Sequence, residues 1–137
     1  MSLFNVLDIA GSGMSAQALR LNTTASNLAN AESASSSSGE TYRARQPVFA
    51  AMIKALGESP SGTGVQVKGI VESQAPLRQQ YEPGHPLANE EGYIFLPNVS
   101  MVEEMANMIS ASRSYQSNSE VAKTSKQLLM RTLSLGE

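Results

Sequence analysis

MVEEMANMISASRSYQSNSEVAKTSKQLLMRTL, residues 101–133, is the stretch that decides the fold. Met101, Met108, Tyr115, Ala122 and Leu129 recur in it at intervals of seven, with Met105 and Leu133 on adjoining positions. An apolar repeat of that spacing marks a long helix that packs along a seam. Its start is written in the preceding residues. Pro97-Asn98-Val99 leads into Ser100-Met101-Val102-Glu103, the capping-box pattern in which Ser bonds the third amide and Glu reaches back. Glu103 and Glu104 lie toward the positive end of the helix dipole, and Lys123, Lys126 and Arg131 toward the negative end, with Gly136 beyond it. At 1.5 Å per residue the helix spans roughly 50 Å.

The other end of the chain answers it. Leu7, Met14, Leu21 and Leu28 repeat at the same interval and predict a helix from about Leu3 to Asn30, roughly 40 Å long, with Ser2 as N-cap and Asp8 toward its positive end. From Met1 to Ala31 the only charges are Asp8 and Arg20; most other positions are Ala, Ser, Thr, Asn, Gly and Gln. A solvent-facing helix carries a charged outer face, so this one is built to be packed on most sides. Gly11 and Gly13 each weaken it by about 1 kcal/mol relative to Ala and fit either a close helix approach or a bend.

Between the helices the composition changes. Ser33-Ala34-Ser35-Ser36-Ser37-Ser38-Gly39 reads as a flexible or exposed loop. Tyr42–Phe49 looks extended, Gly64–Val71 alternates as a strand does, and Leu77–Tyr81 does so more loosely. Gly57, Pro60, Gly62, Gly64, Pro76, Pro83, Gly84 and Pro86 punctuate the region. The reading is a small β-rich insert.

The helix pair has few large apolar residues, and Ser112, Ser119 and Lys126 fall among its candidate seam positions. Burying one large apolar side chain contributes about 1.5–3 kcal/mol, while ordering each residue costs about 1–2 kcal/mol of backbone entropy. The pair is therefore expected to be marginal alone, with neighbouring subunits supplying the missing burial.

Composition removes several function classes. Charged residues are 16% of the chain, against a typical value of about 25%, and the net charge of −2 comes with no basic stripe, so nucleic acid is not an expected partner. The chain has no Cys, which removes disulfides and thiolate metal sites. No apolar run reaches the roughly 20 residues of a membrane span. The opening Met-Ser-Leu-Phe-Asn-Val-Leu-Asp lacks the basic region and long apolar core of a Sec-type signal peptide.

Catalytic constellations are not found either. His85 is the sole histidine and reads as a turn residue within Tyr81-Glu82-Pro83-Gly84-His85-Pro86. Glu90 and Glu91 are adjacent and diverge on a strand, unlike a glycosidase pair. There is no Gly-x-Ser-x-Gly elbow and no phosphate-binding Gly loop. No enzyme, cofactor, metal site or small-molecule substrate is expected. The run Asn22–Asn30 reads either as a frayed helix end or as interfacial amides that fix register between packed helices. The Met101, Met105 and Met108 cluster reads as packing surface.

The segment Glu103–Asn118, with its Ser-Arg-Ser-Tyr-Gln-Ser-Asn end, resembles the C-terminal motif of flagellar axial proteins, the rod, hook and hook-associated subunits. Ala25-Ser26-Asn27-Leu28-Ala29-Asn30 is similar to their N-terminal asparagine–aliphatic–alanine–asparagine motif. Within the flagellar basal-body rod family, Tyr81–Pro86 followed by Gly92-Tyr93 and Pro97-Asn98-Val99 resembles the proximal rod proteins, and the chain length agrees. Residues 31–40 depart from the family pattern, a Ser-rich run replacing the usual Asn/Thr-rich continuation.

The resemblance implies a mainly α subunit of a helical tubular assembly, with a small β-rich insert and a coiled-coil-like pair of terminal helices. Residues 1–31 and 99–137 would form the inner-tube domain and 32–98 the outward insert. It implies torque transmission from the membrane ring to distal rod and hook. The implied partners are copies of itself, other rod proteins, adjacent membrane-ring and rod-base proteins and the flagellar type III export apparatus, with a final position in the periplasm and no cleaved signal. Leu7, Met14, Leu21 and Leu28 are expected to pack against Met101, Met105, Met108, Tyr115, Leu129 and Leu133, within and between subunits. Asn27, Asn30, Asn107 and Asn118 are the expected register-setting amides. The alternatives are another axial or junction protein, and a soluble helical export chaperone or adaptor whose helices would need charged outer faces.

Overall fold

The computed structural model describes residues 3–52 and 62–134. Ser2, Gly57, Pro60 and Gly136, given roles above, lie outside them. Two long helices, α1 (Leu3–Ala29) and α2 (Met101–Ser134), enclose four strands in the chain order, β1 (Arg45–Met52), β2 (Gly64–Glu72), β3 (Arg78–Tyr81) and β4 (Tyr93–Leu96). The expected helices and the β-rich insert are present, and β4 is an element that the sequence reading did not mark.

The strands form two separate antiparallel ladders, β1 with β2 and β3 with β4. In the first, Val48 pairs with Gly69 and Phe49 with Val67, so Lys68 is passed over as a bulge. In the second, Tyr81 faces Tyr93, and their rings meet edge-on at 5.2 Å. Gly92 precedes β4 at φ +83°, and a Cβ there would lie 2.9 Å from the Tyr81 ring, so both backbone and space call for glycine.

Helix α1 lies between two layers. It packs on α2 along one side and on the β1–β2 hairpin along another, while among the described residues α2 meets no element except α1. The helices run antiparallel: Arg20 reaches Asn107, and Gly13 lies against Asn118. The hairpin is tied to α1 by Ser12, whose Oγ donates to the Ile9 carbonyl (2.8 Å) and accepts from the Val65 amide (3.1 Å).

The core is made of small and polar side chains. Ala10, Ala16, Thr23, Thr24 and Asn27 are the buried residues of α1; Glu104, Ala111 and Ser125 are those of α2. The row that α2 turns fully inward is thus 104–111–118–125, not the row of larger residues at 101–108–115–122–129. Asn118 is half-buried in it, against Gly13. Of the candidate seam positions, Ser119 and Lys126 are exposed and Ser112 is half-buried. Small residues let the two helices approach closely, since interaxial distance follows side-chain size. They also bury little, at about 0.8 kcal/mol per methylene-sized group.

At the start of α2 the capping box is half realised. The Glu103 amide donates to Ser100 Oγ at 3.5 Å, a long bond, and the Glu103 side chain is exposed. Asp8 lies more than a turn into α1, which has no acidic residue in its first turn. The Ser-rich segment is exposed yet fastened. Ser35 exchanges both backbone bonds with Phe95 of β4 at 3.0 Å, and its Oγ bonds Thr41 Oγ1 at 2.7 Å.

Candidate functional site

Two features stand out once the fold is built: a polar junction where helices and insert meet, and a helix whose large apolar residues face outward. The junction gathers the end of α1, the segment into β1, the end of β4 and the start of α2 around Ala31, Ala44 and Val99, with Tyr42 packed against them. So small an apolar cluster leaves amides and guanidiniums to define the geometry.

Asn27 is the centre of it and is 1% exposed. Its carboxamide treats Arg45 as a neighbouring strand would, Nδ2 donating to the Arg45 carbonyl (2.8 Å) and Oδ1 accepting from the Arg45 amide (2.9 Å). Tyr42 donates its hydroxyl to the same Oδ1 at 2.8 Å. Asn98 makes the matching link from the other side. Its Oδ1 accepts from the Ala44 amide (2.8 Å) and its Nδ2 donates to the Ala75 carbonyl (2.9 Å). Arg78 bridges further, donating from Nε to the Pro97 carbonyl (3.1 Å) and from a terminal nitrogen to the Ala31 carbonyl (3.0 Å). Arg45 lies over the Tyr42 ring at 5.4 Å and pairs with Glu72 at 3.5 Å, an exposed pair contributing at most about 1 kcal/mol.

The four expected amides therefore divide. Asn107 and Asn118 lie between the helices: Asn107 Oδ1 accepts from Arg20 at 2.9 Å, and a Cβ on Gly13 would come within 2.7 Å of Asn118 Nδ2. Gly13 thus marks a close approach, whereas around Gly11 there is open space. Asn27 binds the strand and not the partner helix, and Asn30 donates to the Ser26 carbonyl of its own helix at 2.8 Å. Asn98 and Arg78 were not singled out from the sequence. The Pro-Asn-Val stretch before α2 was the available signal for Asn98; no pattern pointed to Arg78.

The apolar residues divide too. Leu7, Met14, Leu21 and Leu28 are half-buried on α1, as are Met108 and Leu129 on α2. Met101, Met105, Tyr115 and Leu133 are exposed, and so are Val102, Ile109, Val121, Leu128 and Met130. Apolar exposure of this extent on one helix is the kind of feature that marks an interaction surface.

No described group of three His, Cys, Asp or Glu residues could hold a metal ion, and no helix among the described residues is long and apolar enough to cross a membrane. His85 serves its turn as expected: its amide donates to the Glu82 carbonyl, and its Nδ1 accepts from the Leu87 amide at 3.1 Å.

Comparison with known proteins gives this arrangement a context. Residues 7–32 match the family described as flagella basal body rod protein, and residues 90–135 match the flagellar basal body rod FlgEFG protein C-terminal family. Over its whole length the chain is 51% identical to the flagellar basal-body rod protein FlgC of Escherichia coli O6:H1 and 51% identical to that of Salmonella typhimurium, covering 100% of each relative. The FlgC of Borreliella burgdorferi is 35% identical, with 98% of each chain covered.

Proposed function

The chain belongs to the FlgC family of flagellar basal-body rod proteins, structural and not enzymatic, and on that premise we propose that it builds the proximal part of the rod and carries torque from the membrane ring to the distal rod and hook. Its place is the flagellar basal body, assembled with other rod proteins. The full-length identity carries the assignment to the rod. The uncovered apolar face of α2 supports assembly as the activity.

In this reading residues 1–31 and 99–137 pack as a coiled-coil-like pair in the inner tube and residues 32–98 face outward. Leu7, Met14, Leu21 and Leu28 pack with Met108 and Leu129 inside the subunit, while Met101, Met105, Tyr115 and Leu133 meet neighbours. Asn107 and Asn118 hold the helices in register, Asn27 holds α1 to the insert, and the Asn30 side chain ties off the end of its own helix. Neighbours include copies of the chain, adjacent rod proteins and the membrane-ring and rod-base proteins. The subunit reaches the periplasm through the flagellar type III export apparatus without loss of a signal peptide.

Leu21→Asp and Met108→Asp test this reading, because each puts an unpaired charge into a half-buried seam. Export should continue while rod assembly, and with it swimming, is lost. Normal motility in either mutant contradicts the proposal.

A further inference from the structure

The β3–β4 ladder stands apart from the rest of the fold. Among the described residues neither of its strands packs on a helix or on the β1–β2 hairpin, whereas that hairpin packs along α1. Tyr81 and Tyr93, paired across the ladder, are both exposed. A two-stranded ladder is at best marginally stable by itself, so its place depends on what fastens it. Two fastenings are present. At the base, Arg78 donates to the Ala31 carbonyl just past α1 (3.0 Å) and to the Pro97 carbonyl (3.1 Å). On the edge of β4 that β3 leaves free, Ser35 exchanges both backbone bonds with Phe95, each 3.0 Å long, and so adds one residue of a third strand.

Ser35 is itself held by the segment that carries it. Its Oγ lies 2.7 Å from Thr41 Oγ1, and the two hydroxyls close on the Ser37 carbonyl at 2.7 and 2.8 Å. Thr41 is buried. At the other end, Ser33 donates its amide (3.1 Å) and its hydroxyl (2.8 Å) to the Asn30 carbonyl, just past α1. Short hydroxyl side chains that bond nearby backbone fold a segment back on itself. The Ser-rich run is thus anchored at both ends and presents Ser35 between them. We propose that residues 33–41 are a strap: they hold the β3–β4 ladder as an arm in one orientation at the end of α1, and the arm swings about its base at Arg78 when the Ser35–Phe95 bridge opens. An element with few buried contacts opens at low free-energy cost, so the two backbone bonds of the bridge govern where the arm stands. In the reading of the chain as a rod subunit, the strap fixes the place of the exposed tyrosines relative to the helix pair.

Distances between paired nitroxide labels, measured by pulsed dipolar spectroscopy on the purified full chain, test this. The chain has no Cys of its own, so introduced thiols are the only label sites. Lys68→Cys with Glu91→Cys reports the arm against the β1–β2 hairpin, and Lys68→Cys with Ser15→Cys reports the hairpin against α1; all three positions are exposed. With the strap intact, the first pair should give one narrow distance. Ser35→Pro removes the amide that donates to Phe95. It should broaden the first distribution several-fold and leave the second unchanged. A first distribution that is broad from the start, or that stays narrow in Ser35→Pro, overturns the strap. Broadening of both pairs overturns it too, because the segment would then support the whole fold and not the arm. None of these results bears on the rod assignment, which fails instead if the unsubstituted chain does not enter basal bodies.

Discussion

Helix α1 and helix α2 carry the same seven-residue repeat but use it in opposite ways. The first is packed on two sides, by α2 and by the hairpin, and its large repeat residues are all half-buried. Among the described residues the second is packed on one side only, and nine of its large apolar residues stay exposed. The chain spends small and polar residues on its internal contacts, Ala10, Ala16, Asn27, Ala111 and Ser125 among them, and keeps large apolar ones outside. In the proposed reading of the chain as a rod subunit, the internal contacts fix its shape and the external ones are left to strengthen the polymer.

Of the internal contacts, those of Asn27 carry the most stability. Asn27→Ala takes the side-chain partner from the Arg45 amide and carbonyl and one of two partners from the Tyr42 hydroxyl, which keeps Ser26 Oγ, at a part-buried place where an unsatisfied group costs about 1–3 kcal/mol. Urea denaturation should show a loss of about 3 kcal/mol or no folded monomer at all; a loss below about 1 kcal/mol would remove Asn27 from the centre of the junction. Arg78→Met comes next. It removes charge-assisted bonds to the Pro97 and Ala31 carbonyls, contributing about 1.5–3 kcal/mol where desolvated and less here, since Arg78 is exposed. An expected loss of about 1 kcal/mol is readable by the same titration.

Gly13→Ala probes the close approach of the helices. The added Cβ would meet the end of the Asn118 amide, which can turn aside, while Ala gains about 1 kcal/mol of helix propensity over Gly. Near-neutral stability is expected for Gly13→Ala, and a loss of about 1–3 kcal/mol for Gly13→Leu, whose bulk Asn118 cannot escape. Equal stability of the two variants would mean that the helices are not in close contact there. Met105→Ser should change monomer stability least, within about 0.5 kcal/mol, because the side chain is exposed. Its effect should appear only in assembly, as fewer completed rods by electron microscopy of basal bodies. A large loss of monomer stability would show that α2 is covered within its own chain.

Both long helices were legible because length, period and, for α2, capping chemistry agree on them. The row of α2 that faces inward was less so. A search for large apolar repeats finds 101–108–115–122–129, whereas the row packed against α1 lies three positions along and carries Glu104, Ala111, Asn118 and Ser125, small or polar residues that no apolar pattern marks. Tyr93–Leu96 escaped notice because a run of four apolar residues has no alternation to read, although Gly92 and Pro97 bound it. The partner of Asn27 lies 18 residues away across a loop, and residue type alone could not choose between a frayed end and a contact. The Ser-rich segment hid its bridge to Phe95 for the same reason: its composition says loop, and only tertiary pairing says where the loop is fastened.

Hydrogen exchange of the dilute purified chain, set against the same chain in intact basal bodies, tests the central claim most directly. The account predicts that amides of residues 101–133 exchange fast in the monomer and become strongly protected in the particle, with a smaller change at the junction around Asn27 and Asn98. Equal protection of α2 in both states would mean a self-contained helical protein and would contradict an outer face that neighbours complete.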